Sequence, residues 1–218
     1  MPIPPPPRTP AETHRTGVLV RWFLGTVVGT TLGHILAVAL TAVAADALFA
    51  VTTSVNRTVR LVVVVIIGAV DGGSIALGQW FALRAEVPRL APVRWILLSA
   101  LAGAAGWGVA STSAHLQSVN PHAGVTPSEA LVAGMVVGLM LGIAQGSTLR
   151  RALGRPLPWV SANAAGFAAG LTASAWLERT LALPSSLPAL VGGPVTGFVV
   201  AALTGAVLVL LGRVGGRR

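Results

Sequence analysis

The segment Gly68–Arg84, GAVDGGSIALGQWFALR, is an apolar stretch that carries one aspartate and one glutamine. A shorter copy, GLMLGIAQGSTLR, occupies Gly138–Arg150 and repeats the glutamine but not the aspartate. In both places an apolar run ends on an arginine. Because a bilayer core is spanned by about 20 apolar residues, both regions indicate membrane-spanning helices. Because the glutamine recurs, we expect it to have a structural role. The aspartate does not recur, so it is the better candidate for a functional residue.

The composition of the whole chain is that of a membrane protein. Of its 218 residues, 54% are hydrophobic and 10% charged, whereas soluble domains carry about 25% charged residues. The sequence predicts an all-α membrane bundle of six transmembrane helices. The six apolar blocks are Arg21–Ala45, Leu61–Leu83, Val93–Ala114, Ser128–Leu149, Trp159–Leu177 and Leu190–Leu211.

The distribution of arginine predicts the orientation of this bundle. All fifteen basic residues other than histidine are arginines. Twelve of them lie before the first helix, between the second and third, between the fourth and fifth, or after the sixth. The three exceptions are Arg57, Arg60 and Arg179. By the positive-inside rule both termini are cytoplasmic. The net charge of +9 therefore indicates topology and contact with anionic lipid head groups. It does not indicate nucleic acid, which would need a basic face interleaved with aromatic residues.

The chain divides into a short tail and one domain. Residues 1–20, which include MPIPPPPRTPAETHR, are predicted to be a disordered, proline-rich cytoplasmic tail, because proline disfavours helix. Residues 21–218 are predicted to form a single six-helix transmembrane domain.

Three helix pairs repeat within this domain, at about residues 21–84, 94–150 and 158–213. RWFLGTVVGTTLG, RWILLSALAGAAG and PWVSANAAGFAAG align without a gap. Each repeat holds two spans, so the copies insert with the same orientation. Aligned residues in the first helices are Trp22, Trp95 and Trp159, then Thr26, Ser99 and Asn163, then Gly33, Gly106 and Gly170. Alignment of the second helices on Arg84, Arg150 and Arg213 places Gln79 against Gln145 and Leu208, and Gly68 against Gly134 and Gly197.

Recurring glycines and polar residues are predicted to hold the bundle together. A small residue at every fourth position stays on one helix face and permits close backbone approach, although such a stripe could instead line a permeation path. Gln79 and Gln145 are predicted to hydrogen-bond between helices, toward the level of Thr26, Ser99 or Asn163. The predicted packing glycines are Gly25, Gly29, Gly33, Gly134, Gly138, Gly142, Gly166, Gly170 and Gly197.

Tryptophans and arginines at helix ends are predicted to anchor the bundle at the membrane surface. These interfacial residues are Trp22, Trp95, Trp159, Arg84, Arg150 and Arg213.

The combination of GQWFALR, a following RW and many glycines resembles a group of bacterial multi-pass membrane proteins built from glycine-rich Q-W-x-x-L-R and W repeats. The resemblance covers most of the chain from Arg21 onward. It implies the helical architecture and residence in the bacterial inner membrane. Two positions depart from the pattern, because Gly146 stands where Trp80 does in the first copy and Leu208 replaces the glutamine.

Asp71 and His34 are predicted to form an intramembrane polar site. Asp71 lies thirteen residues before Arg84 and His34 twelve after Trp22, so a rise of 1.5 Å per residue brings both to about the middle of the membrane. An aspartate there costs about 2.5–3.5 kcal/mol on translocon scales. One hypothesis is a buried pair with coupled protonation. The alternative is a protonated Asp71 in a local hydrogen bond, with His34 as a polar neighbour.

No catalytic motif, metal site or cofactor is predicted. The thiol and lysine chemistries are excluded because the sequence has neither cysteine nor lysine. His115 and His122 fall short of a metal-coordination set. GGSI at Gly72–Ile75 resembles a rhomboid-protease nucleophile, but no histidine follows on a later helix. Glu129 is explained by a capping box with Thr126.

Two functions remain open for such a chain. The first is a membrane scaffold or interaction protein, favoured by the glycine stripes and the scarcity of polar residues. The second is a proton-coupled carrier or channel for a small solute, favoured by Asp71 and His34. Predicted partners are the lipid bilayer with anionic head groups at the cytoplasmic face, and a second copy of the chain or another membrane protein.

Overall fold

A computed structural model describes residues 10–49, 54–87, 90–112, 125–181 and 188–211. All regular structure in these ranges is helical, which confirms the all-α class. Each helix overlaps one of the apolar blocks found in the sequence. In chain order the helices are α1 (Pro10–Phe49), α2 (Ser54–Leu83), α3 (Pro92–Thr112), α4 (Pro127–Leu153), α5 (Leu157–Leu181) and α6 (Pro188–Leu210).

Five of these helices are long and apolar enough to cross a membrane. The qualifying segments are Thr16–Val43, Thr58–Leu83, Pro92–Thr112, Pro127–Arg150 and Leu190–Leu210. Within the described part of the chain, α5 is the helix that does not qualify. It carries Asn163, Glu178 and Arg179 within its 25 residues. Such apolar helices are those of a membrane-embedded protein.

The beginning of α1 differs from the predicted tail. The helix starts at Pro10, so residues 10–20, which the sequence assigns to a disordered segment, are helical. Proline is compatible with the first turn of a helix, where its missing N–H would have no intrahelical partner. The rest of the predicted tail, residues 1–9, lies outside the described residues.

The ends of α4 show how local sequence sets helix boundaries. The Thr126 side chain accepts a hydrogen bond from the Glu129 backbone N–H at 3.2 Å, and the Thr126 N–H donates to Glu129 Oε2 at 2.7 Å. This reciprocal pair confirms the predicted capping box. At the other end Gly154 has φ 71°, a value that favours glycine, and its N–H donates to the Arg150 carbonyl at 2.9 Å.

The six helices form a closed ring. Each helix packs against the next one in the chain, and α6 packs against α1. The three aligned tryptophans, Trp22, Trp95 and Trp159, belong to one buried cluster, together with Leu149 of α4 and Leu208 of α6. They therefore lie at the same end of the ring, which is called the tryptophan end below.

Glycines lie at the close contacts between neighbouring helices. A Cβ on Gly78 would overlap the Gly25 carbonyl between α1 and α2, and a Cβ on Gly68 would lie 2.5 Å from the Gly103 carbonyl oxygen between α2 and α3. Gly197 faces Val27 of α1, where a Cβ would lie 2.9 Å from the Val27 Cα. Other predicted packing glycines also face a neighbouring helix. They are Gly29, Gly33, Gly134, Gly138, Gly142, Gly166 and Gly170.

The surface of the ring is apolar and its interior contains polar side chains. Leu24, Leu101 and Met135 are each more than half exposed, and similar residues cover the outward faces of all six helices. Conversely, Gln79 and Gln145 are at most 1% exposed. A water-soluble protein rarely shows such extensive apolar surface, whereas lipid favours it. The arrangement is that of a membrane-embedded bundle.

Candidate functional site

The contact between α1 and α2 places Asp71 against the backbone of α1. A Cβ on Gly33 would lie 2.5 Å from Asp71 Oδ1 and 3.1 Å from the Asp71 Cα. The carboxylate thus occupies the space that a larger residue at position 33 would need. The next residue, His34, is carried to the same depth, as the sequence predicts from the two antiparallel helices.

His34 and Asp71 are in contact. His34 Nδ1 lies 3.4 Å from Asp71 Oδ1, which is an ion-pair distance. The same nitrogen is 3.1 Å from the carbonyl oxygen of Thr30, which accepts a hydrogen bond from it in the tautomer that carries the proton on Nδ1. The Asp71 side chain is 4% exposed and that of His34 is 18% exposed. The pair is packed between helices, with the imidazole as its more accessible member.

Trp107 of α3 completes the surroundings of the carboxylate. Its indole Nε1 donates to Asp71 Oδ2 at 3.3 Å. Trp107 follows Gly106 as His34 follows the aligned Gly33, and the two side chains contact different oxygens of Asp71. The position aligned with Asp71 in α4, Val137, instead faces Gly106, whose Cβ would lie 2.9 Å from the Val137 Cα.

A third titratable residue, Glu178 of α5, lies beside the pair, and sequence reasoning missed it. Both residues contact Gly192 of α6. A Cβ on Gly192 would lie 3.0 Å from Glu178 Oε1 and 3.8 Å from His34 Cδ2. The predicted fifth block ends at Leu177, one residue too early to include it. The missed signal is the spacing of four, because Gly166, Gly170, Ser174 and Glu178 fall on one face of α5.

These residues bring acid and base chemistry into the interior of the ring. Two carboxylates and one imidazole, from α1, α2 and α5, lie near one another, with Asp71 buried and with His34 and Glu178 partly exposed. An isolated ionised group there is costly, so a buried charge needs a partner of opposite sign. The His34 imidazole, 3.4 Å from the Asp71 carboxylate, is placed to be such a partner. The geometry therefore brings an acid and a base within ion-pair distance of each other inside the bundle.

A second group of polar side chains lies nearer the tryptophan end. Gln145 Nε2 donates to Gln79 Oε1 at 2.8 Å and to Ser99 Oγ at 3.3 Å, which links α2, α3 and α4. Thr26 and Asn163 lie one turn after Trp22 and Trp159 and are equally buried. We call Thr26, Gln79, Ser99, Gln145 and Asn163 the polar layer.

Only part of the predicted hydrogen bonding occurs in this polar layer. The glutamines bond to each other and to Ser99, whereas Asn163 Nδ2 donates within its own helix to the Trp159 carbonyl at 3.0 Å. Thr26 Oγ1 has no hydrogen-bond partner among the described residues. A buried polar atom without a partner costs about 1–3 kcal/mol.

The aligned tryptophans differ from the predicted interfacial belt. Trp22, Trp95 and Trp159 are at most 1% exposed, whereas an indole at a lipid interface reaches the head groups. The Trp95 indole donates to the Ala76 carbonyl at 2.9 Å, and that of Trp22 donates to Thr204 Oγ1 at 3.2 Å. Two of the three buried indoles, those of Trp22 and Trp95, thus have acceptors inside the bundle.

The predicted arginine anchors have varied surroundings. Arg84 is exposed, and its guanidinium lies 5.6 Å from the Trp80 ring centroid and 5.1 Å from that of Phe81. Arg150 is also exposed. Arg213 lies outside the described residues, as do His115 and His122. Within the described ranges no group of three or more metal-ligating side chains occurs.

Comparison with known proteins adds no relative to this picture. No family model matches the chain, and neither does any curated protein or solved structure.

Proposed function

We propose that this chain is an integral protein of the bacterial inner membrane, that it crosses the bilayer six times, and that both its termini are cytoplasmic. Five helices qualify as spans by length and composition. The arginine-rich segments at the tryptophan end would contact anionic lipid head groups of the cytoplasmic leaflet. The exposed apolar faces of the ring would contact lipid chains or a second membrane protein.

The packing of α5 supports its role as the sixth span. Its 25 residues extend about 37 Å at 1.5 Å per residue, enough to cross a hydrocarbon core of about 30 Å. It lies between α4 and α6 in the ring. Asn163, a polar side chain in its second turn, points inward and is 1% exposed. The low apolarity of α5 thus comes partly from residues that would not face lipid.

Equivalent contacts support an origin of the ring in three tandem helix pairs. Gly33 of α1 faces Asp71 of α2, and the aligned Gly106 of α3 faces the aligned Val137 of α4. The aligned glycines of the second helices face the first helix of the next pair. Gly68 faces Gly103, Gly134 faces Phe167, and Gly197 faces Val27, which closes the ring.

The activity that the geometry supports best is proton-coupled transport of a small solute, as a carrier or channel. The observation that carries this proposal is the 3.4 Å contact between His34 and Asp71 in the interior of the ring. A pair of this kind can bind one proton and release it without leaving an isolated charge in a medium of low dielectric constant. Glu178 would relay protons between His34 and the end of the ring opposite the tryptophans.

A membrane scaffold is the second candidate function. The close glycine contacts and the tight packing of Asp71, which is 3% exposed, favour a rigid ring. In that case the His34–Asp71 pair would fix the position of α1 against α2, and the apolar outer surface would bind partner helices.

Reconstitution of the full chain distinguishes the two functions. Liposomes containing a trapped pH-sensitive dye are given a potassium diffusion potential with valinomycin. A carrier or channel for protons acidifies the lumen, and Asp71→Asn reduces the rate to that of protein-free liposomes. Glu86→Gln is the matched control, because this carboxylate lies in the loop between α2 and α3. If the wild-type protein gives no flux above protein-free liposomes, proton transport is contradicted and the scaffold role remains.

A further inference from the structure

The polar layer contains buried atoms that the protein itself does not satisfy. Gln79 Nε2 lacks a hydrogen-bond acceptor, and Gln145 Oε1, Asn163 Oδ1 and Thr26 Oγ1 lack a donor within the described chain. The indole Nε1 of Trp159, one turn from Asn163, also lacks an acceptor there. The side chains that bear these atoms are each at most 1% exposed. Natural interiors rarely leave such groups without partners.

Helix contacts bring these side chains into one part of the ring. Gln79 follows Gly78, which packs on Gly25, the residue before Thr26. On the other side, a Cβ on Gly142 would lie 3.2 Å from the Asn163 Cβ, and Gly142 is less than one turn from Gln145. The bond between Gln145 and Gln79 then joins the two sides. The unsatisfied atoms therefore line a shared interior region.

The chemistry of these atoms defines what could bind among them. They comprise amide and indole N–H donors together with amide and hydroxyl oxygen acceptors, and none is a charged group. A ligand that satisfies both kinds must donate and accept hydrogen bonds, and an ion can do only one of these. Water is the smallest such molecule and commonly fills buried polar sites of this type.

We propose that the polar layer binds internal water molecules, held between Gln79, Gln145, Asn163, Thr26 and the Trp159 indole. The presence of water follows from the packing near the tryptophan end of the ring. A role for this water in proton transfer rests on the proposed transport function. Gln79 lies eight residues from Asp71 on α2, about 12 Å at 1.5 Å per residue, so water in the polar layer would extend the proton path from the pair toward the tryptophan end.

Two indoles provide a matched comparison for the test. Trp159 and Trp95 occupy aligned positions and are equally buried, but only the Trp95 N–H has a protein acceptor, the Ala76 carbonyl. The full chain is labelled with ¹⁵N-tryptophan and reconstituted in lipid bilayers, and magnetisation transfer from water to each indole N–H is measured by solid-state NMR. The expected result is a water cross-peak to the Trp159 indole N–H and no water cross-peak to the Trp95 indole N–H. Trp159→Phe assigns the signal, and through-bond correlations to the backbone assign it if that variant does not fold.

The absence of a water cross-peak at both the Trp159 and the Trp95 indole would overturn the proposal. The outcome is independent of transport, because the measurement needs no proton gradient. Water at Trp159 without proton flux would keep the hydrated polar layer and reject the transport function. Proton flux without water at Trp159 would keep the transport function and reject the hydrated polar layer.

Discussion

Trp107 donates a hydrogen bond to Asp71 Oδ2 at 3.3 Å, on the carboxylate oxygen that His34 does not contact. The carboxylate is thus enclosed by α1 on one side and α3 on the other. Removal of one partner of a buried hydrogen bond costs about 1–3 kcal/mol. Trp107→Phe keeps an aromatic ring but removes the N–H, so we expect the free energy of unfolding to fall by about this amount. Denaturant titration in mild detergent measures it.

The control for this variant is Trp176→Phe, because Trp176 is 60% exposed on α5. It should leave the free energy of unfolding within about 0.5 kcal/mol of the wild type. Equal effects of the two substitutions would argue against the Trp107–Asp71 hydrogen bond.

The contact between His34 and Asp71 predicts energetic coupling. Asp71→Asn and His34→Gln each disturb the same buried pair, so their effects on the free energy of unfolding should not add. Residues in contact couple by about 0.5–3 kcal/mol in double-mutant cycles. Comparison of the two single variants with the double variant, in the same detergent, gives this coupling energy. Strict additivity would show that the two side chains act independently in the folded protein.

The contact between Gly25 and Gly78 predicts intolerance to a single methyl group. In Gly78→Ala the added Cβ would overlap the Gly25 carbonyl, which is backbone and cannot rotate away. Overpacking of this kind costs about 1–3 kcal/mol, and thermal unfolding in detergent should show a lower midpoint.

Gly17→Ala tests whether that loss comes from the contact. Gly17 lies on α1 with no heavy atom within 4 Å of a Cβ placed there. Alanine is the better helix former by up to about 1 kcal/mol, so this variant should be as stable as the wild type or more stable. A loss of stability in Gly17→Ala equal to that in Gly78→Ala would contradict the packing interpretation.

Glu86 joins the first turns of α1 to the loop after α2, and we expect a small effect of its removal. Glu86 Oε2 lies 3.3 Å from His14 Nε2, and Glu86 Oε1 lies 3.4 Å from an Arg21 guanidinium nitrogen. The His14 and Arg21 side chains are about half exposed, so each ion pair contributes about 0–1 kcal/mol. Glu86→Gln should therefore speed hydrogen exchange in residues 14–21 and leave global unfolding nearly unchanged. A large fall in the unfolding midpoint would show that this tether holds the ring together.

Local sequence predicted each of the described helices because long apolar runs are the dominant signal in lipid. The depth of His34 and Asp71 also followed from helical rise along two antiparallel segments. The depth of a residue does not determine how its helix is rotated about its own axis, and this rotation decides whether a side chain faces lipid or another helix. The alignment therefore grouped Trp22, Trp95 and Trp159, but their burial in one cluster did not follow from it, because contacts such as those with Ala76 and Thr204 are distant in the chain.

Glu178 and the beginning of α1 were missed for a different reason. The predicted fifth block ends just before the charged Glu178 and the predicted first block begins after the proline-rich tail, whereas a helix continues as long as its backbone hydrogen bonds do. α5 therefore extends through Glu178, and α1 already includes residues 10–20. Closure of the ring by α6 against α1 could not be read from local patterns, because it joins segments at opposite ends of the chain.

The most direct test of the six-span ring is the side on which the two ends of α5 emerge. The chain has no cysteine, so single cysteines introduced as Arg155→Cys and Leu181→Cys, both at exposed positions, report without background. Intact cells are treated with a membrane-impermeant maleimide and then lysed for a second label. The account predicts that Leu181→Cys reacts in intact cells and Arg155→Cys only after lysis. Reaction of both cysteines from the same side would show that α5 does not cross the membrane and would contradict the account.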